Sequence, residues 1–202
     1  MSARTYIPVR EHEASPYANT EDFGRIFVED LNGLYQLSFL LTGDQRRAEK
    51  CFVAGIDDCV NENHVFREWA RSWAKRTIIQ NAIRELRPHP SHSSSSLSAS
   101  VSSHNQHSNG SGEHFESDAV LGLGDFERFV FVMSVLEHYS QHECTLLLKC
   151  SISDVREARV RALEDLASAL RGATGSTGVA NNEVLHLVKN ELRTGSDAPV
   201  LG

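Results

Sequence analysis

The chain has 202 residues, of which 40% are hydrophobic, 23% charged and 7% aromatic, and its formal net charge is −7. That is enough apolar material for modest cores under a solvated surface, while the acidic balance excludes indiscriminate attraction to phosphate, which shows as a basic excess. No apolar run approaches the roughly 18 to 20 residues that cross a bilayer, and residues 1–20 lack a basic stretch followed by an apolar one, so the sequence predicts a soluble, cytoplasmic protein without membrane contact.

After an N-terminal extension at 1–20, residues 21–87 read as a helical module. Residues 23–41 place Phe27, Leu31, Leu34, Ser38 and Leu41 on one stripe, which predicts a single helix, and Gly43 stands where a left-handed cap belongs. Asp44 then caps a second helix in which Ala48, Cys51, Phe52, Gly55, Ile56 and Cys59 form one buried face. With so short a turn the two helices are expected to pack antiparallel. A third helix starts at Phe66, carries Trp69, Ala70, Trp73, Ala74 and Thr77, continues through Ile79, Ala82, Ile83 and Leu86, and ends at Pro88.

Residues 88–118 are rich in serine and histidine and hold almost nothing able to anchor a core, so they read as a flexible linker. His89, His92, His104, His107 and His114 lie there at irregular spacings, which favours solvated side chains over a metal site. Cys51, Cys59, Cys144 and Cys150 sit singly within apolar patterns, and their spacings match no zinc site, so they read as reduced thiols and no metal or other cofactor is expected.

Residues 119–171 form the second module. Phe126, Phe129, Val130, Met133 and Leu136 predict a helix of about three turns. Ser140 with Glu143 is a capping box that opens a helix bearing Cys144, Leu147 and Leu148, and Ser151 with Asp154 opens a longer one bearing Val155, Ala158, Ala162, Leu163, Leu166 and Leu170. Two capped helices on so short a connection, the second carrying Arg156, Arg159 and Arg161, are the parts of a helix-turn-helix. Residues 172–202 form a tail with one short amphipathic pattern at 182–193. The expected fold class is therefore all-α, with two small helical domains on a linker.

In a helix-turn-helix the start of the second helix faces base edges, and Ser153, Asp154, Arg156 and Glu157 occupy that position. An arginine can take both acceptors of a guanine edge and an acid can accept from a cytosine amine; the same residues also fit an ordinary solvated face. In the first module Arg67, Arg71, Lys75, Arg76 and Arg84 with Trp69 and Trp73 form a combination that holds a backbone and stacks an unpaired base. The spacing of the two tryptophans also suits burial, and on spacing alone burial is favoured. No glycine-rich phosphate loop, GxSxG elbow or HExxH appears, and a solvated turn explains the acidic pair Asp57 and Asp58 without chemistry. No catalytic residue and no small-molecule substrate are expected.

These residues resemble the extracytoplasmic-function type of RNA polymerase sigma factor, within the sigma-70 family. LYQLSFLLTGDQRRAEKCFVAGIDDCV at 34–60 is similar to the family's first two helices, FREWARSWAKRTIIQNAIREL at 66–86 to its promoter-melting helix, and FERFVFVMSVLEHYSQHECTLLLKCSISDVREARVRALEDL at 126–166 to its C-terminal DNA-binding region. The resemblance implies that the first module binds core RNA polymerase and the minus-ten element of promoter DNA, and that the second binds the polymerase flap and the minus-thirty-five element, with an anti-sigma factor as a regulator. It carries Glu49 and its helix, including Phe52 and Ile56, to the polymerase contact; Phe66, Trp69, Lys75 and Arg76 to the melted strand; and Ser151, Val155, Arg156 and Arg161 to duplex DNA, beside Ser153, Asp154 and Arg159 of the same helix. Lys50 and Val53 stand where the family usually has an acid and a glutamine, and Lys149 where it usually has glycine, so a positive φ is expected at Lys149 at a cost of roughly 1 kcal/mol. The alternative is a degenerate sigma-like interaction module that binds protein without reading a promoter.

Overall fold

The computed structural model describes residues 15–61, 65–90 and 112–174. All regular elements among them are helical: α1 (Thr20–Glu29), α2 (Leu31–Thr42), α3 (Gln45–Asn61), a 3-10 turn (Arg67–Trp69), α4 (Ala70–Leu86), α5 (Gly112–Leu121), α6 (Asp125–Phe131) running into a wide π-helical turn (Val132–Leu136), α7 (Gln141–Leu148) and α8 (Ile152–Thr174). The pattern at 182–193 lies outside the described residues, as do residues 91–111 of the expected linker.

The single helix expected over 23–41 is two helices broken at one residue. Asp30 leaves helical geometry at φ −116, ψ 29, although the bonds on either side, Asp30 N–H to Ile26 and Leu34 N–H to the Asp30 carbonyl, keep helical spacing. The Asp30 side chain makes no capping hydrogen bond; its carboxylate accepts from Arg71 at 3.4 Å and lies over Gly33, where a Cβ would meet it. The break shifts the stripe: Phe23, Phe27, Leu34, Leu37 and Leu41 are buried, but Leu31 is left exposed.

From Gly43 to Cys59 the local signals act as expected. Gly43 closes α2 at φ 66, and the Asp44 carboxylate accepts the Arg47 N–H at 2.9 Å. Ala48, Cys51, Phe52, Gly55 and Cys59 are buried. A Cβ at Gly55 would lie 2.8 Å from Ile78 Cγ1, so glycine there lets α3 and α4 approach closely. Buried hydroxyls are satisfied along this seam: Ser38 donates to the Ala48 carbonyl at 2.8 Å, and Thr77 donates to the Ala74 carbonyl at 2.9 Å. Residues 15–19, within the expected extension, are tied to the loop before α4 instead. Ala18 N–H donates to Val65, Arg67 N–H donates to Pro16, and the Tyr17 ring stacks on Phe66 at 4.9 Å.

The second part is built around α6. Phe126, Phe129, Val130, Phe131, Val132 and Met133 are all at most 2% exposed, so this segment is enclosed on every side, and each such burial contributes roughly 1.5 to 3 kcal/mol. Helix α5 begins inside the stretch expected to be linker and brings Val120 into the core. Burial raises the thiols of Cys51, Cys144 and Cys150, Cys144 to about 11, and no disulfide joins any of the four cysteines.

Helices α7 and α8 are separate, both opened by the expected boxes. Glu143 N–H donates to the Ser140 hydroxyl at 3.2 Å and Asp154 N–H to the Ser151 hydroxyl at 3.1 Å. Lys149 ends α7 at φ 53, which is the left-handed conformation its position demands. Lys149→Gly removes that strain, and we expect it to stabilise the chain by about 1 kcal/mol in denaturant unfolding; a loss of stability would show that the lysine side chain contributes more than its backbone costs.

The two helical parts share one continuous core. Helix α2 packs on α5, α6 and the wide turn, and α4 packs on α7. The Arg128 guanidinium, 5% exposed, donates across this boundary to the Leu41 carbonyl at 3.3 Å while also holding Leu123 at 3.2 Å and the Asp125 carboxylate at 2.6 Å.

Candidate nucleic-acid interface

Of the five cations read as a platform, Arg71, Lys75 and Arg76 reach one open cleft with the aromatic rings, Arg71 while paired with Glu29 and Asp30; Arg67 is held by Asp22 and Arg84 by Asp58, away from it. Phe66, Trp69, Arg71, Trp73, Lys75 and Arg76 line one wall, and Glu137, His138, Tyr139 and Glu143 line the other, around a space of about 1040 Å³. Trp69 is 59% exposed rather than buried as its spacing favours, because the 3-10 turn at Arg67–Trp69 places it before the regular helix begins. Phe66 meets it edge-on at 5.3 Å. Tyr17, Phe66 and Trp69 therefore make a contiguous aromatic surface at the rim, and Tyr17 is a contributor that the helical pattern does not reveal. Trp73 is partly buried against the core, and its Nε1 is enclosed without an acceptor.

The opposite wall is acidic. Glu137 binds the Lys75 ammonium at 2.7 Å. The hydrogen bonds of Glu143 with the Ser140 hydroxyl and amide lower its carboxyl from the ordinary value, with Arg76 adding to the effect. Burial pushes Tyr139 up to about 12, which keeps its phenol protonated. His138 turns the chain at φ 57 between the wide turn and α7, and this sharp turn presents its neighbours Glu137 and Tyr139 to the cleft.

The outer face of α8 keeps part of what its sequence promises. Ser151, Ser153 and Arg156 are exposed, and Arg159 is partly so. Val155, expected at the duplex, is 0% exposed; it lies on the face of α8 that packs on α6 and α7, and cannot reach a base. Arg161 is turned inward, with 3.0 Å contacts to the Glu127 carboxylate and a longer one of 3.7 Å to Glu157. Asp154 accepts from the Ser151 amide and hydroxyl at 2.9 and 2.8 Å, which places a negative charge on the positive end of the helix and offsets its pull on phosphate. Arg156, Arg159, Arg161 and Arg171 are matched by Asp154, Glu157, Glu164 and Asp165, so α8 carries no net charge.

On α3 the residues expected to hold polymerase separate. Glu49 is exposed and accepts from Gln45 at 3.1 Å. Phe52 is 9% exposed and meets Phe27 and Tyr35 edge-on, so it belongs to the core and not to a contact face. Ile56 is partly buried against the same core. Asp58 of the acidic pair is held by Arg84 at 2.6 Å and Asn81 at 2.9 Å, a link between α3 and α4. Among the described residues no group of three His, Cys, Asp or Glu side chains could hold a metal ion, and no helix is long and apolar enough to cross a membrane.

No family model matches the chain, and no curated protein matches it.

Proposed function

We propose that the chain is a divergent transcription initiation factor of the sigma type, a non-enzymatic protein that binds core RNA polymerase and directs it to promoter DNA. The observation that carries this reading is the geometry of α7 and α8: two capped helices joined through a left-handed Lys149, with Ser153 and Arg156 exposed near the start of the longer one. That is the arrangement in which a helix-turn-helix enters a major groove. The cleft beside α4 supports the second half of the reading, because aromatic rings beside cations suit an unpaired strand. Glu49 and the exposed face of α3 are left for polymerase.

The rival is a sigma-like module that binds polymerase without selecting promoters. It is favoured by the loss of Val155 to the core, the pairing of Arg161 with Glu127 and the neutral balance of α8. A pull-down with core polymerase tests what the two readings share: retention is expected, and its absence would end both. Arg156→Ala tests what divides them. Initiation by base reading predicts that affinity for a promoter duplex falls by about 1 to 3 kcal/mol, and an unchanged affinity would remove Arg156 from the recognition surface.

A further inference from the structure

The boundary between the two helical parts is unequal at its two ends. Near α2 and α6 it is buried and fixed by Arg128, which is almost wholly enclosed and holds two carbonyls and a carboxylate. At the cleft it is open: α4 touches α7 there, and the ion pair across it is Lys75 to Glu137, with the lysine side chain 37% and the glutamate side chain 16% exposed. The lysine faces the solvent of the cleft, so the pair is worth on the order of 1 kcal/mol and its ammonium stands within reach of a competing anion.

Glu137 owes its place to the wide turn before it. Its N–H donates to the Val132 carbonyl at 2.9 Å, five residues back, so the turn holds one residue more than an α-helix would. One extra residue rotates the downstream chain by about 100° relative to a regular continuation of α6. That rotation puts a carboxylate on the lysine that stands beside the aromatic rim.

We infer that the strand-binding cleft is self-inhibited: Glu137 of the C-terminal part occupies the Lys75 ammonium that a single-strand phosphate would use, and binding requires this one contact to give way while the Arg128 end holds. The inference rests on the reading of the cleft as a strand platform. Glu143 repels the same phosphate from the same wall but is fixed by its Ser140 cap, so Glu137 is the group able to move.

The test is a titration of the full chain with a fluorescent single-stranded DNA of about 12 nucleotides at low salt. Glu137→Gln keeps the shape of the side chain and removes the charge; it is expected to bind about three- to tenfold tighter than the unaltered chain. Glu164→Gln, the same charge change on the exposed side of α8, is expected to gain less than about twofold, and Lys75→Gln is expected to weaken binding. If Glu137→Gln gains no more than Glu164→Gln while Lys75→Gln still weakens binding, the platform stands and self-inhibition is overturned. If Lys75→Gln has no effect, or no variant binds, the platform itself fails and the inference with it. Thermal unfolding of each variant confirms that the chain remains folded.

Discussion

Replacing Arg128 by methionine should destabilise the chain by about 3 kcal/mol, the largest effect expected of any polar substitution here. Methionine fills much of the same space, so the loss reports hydrogen bonding more than a cavity. The Leu41 carbonyl at the end of α2 and the Leu123 carbonyl would both lose their charged donor, and a buried acceptor left unmade costs its full desolvation. For a chain of this size that corresponds to a fall in Tm of roughly 6 to 12 °C. Asp125 is 57% exposed and can return to water, so its lost partner adds little. A Tm within about 2 °C of the unaltered chain would mean that the two helical parts do not depend on this contact.

Trp69→Ala should weaken single-strand binding by about 1 to 3 kcal/mol, or roughly 5- to 150-fold, since a stacked base is worth that much. The side chain is 59% exposed at the rim of the cleft, so stability should change by less than about 0.5 kcal/mol. The pairing of a large binding loss with a small stability loss separates a platform from a packing role. Equal losses in both would return Trp69 to the structural part that its spacing suggests.

The features legible in the sequence are local ones. The caps at Gly43, Asp44, Ser140 and Ser151 need only residues within one helical turn, and the α3 face needs only a period of 3.6; these all appear as expected. The break at Asp30 is not legible because the stripe runs unbroken through it in residue type, and a single aspartate is also compatible with a solvated helix position. The burial of Glu127 and Arg128 is hidden for a different reason. Their partners, Arg161 and Leu41, lie 34 and 87 residues away, and no spacing rule links them.

The same limit explains the mixed result for the candidate interface. Phe66, Trp69, Lys75 and Arg76 can be grouped from sequence because they share one segment, and the cleft gathers them. That segment gives no sign that Glu137 faces Lys75 or that Tyr17 stacks on Phe66. On α8 the arginines are visible as a set, but only the positions of Glu127 and Glu157 decide that Arg161 turns toward the protein while Arg156 stays on the surface.

The most direct test of the initiation reading is run-off transcription by core RNA polymerase supplied with the full chain and a pool of duplex templates randomised over the minus-thirty-five and minus-ten regions. The reading predicts transcripts that require the chain and arise from templates sharing sequence in both regions. Transcription no greater than with core polymerase alone, from a polymerase shown to retain the chain, would contradict it.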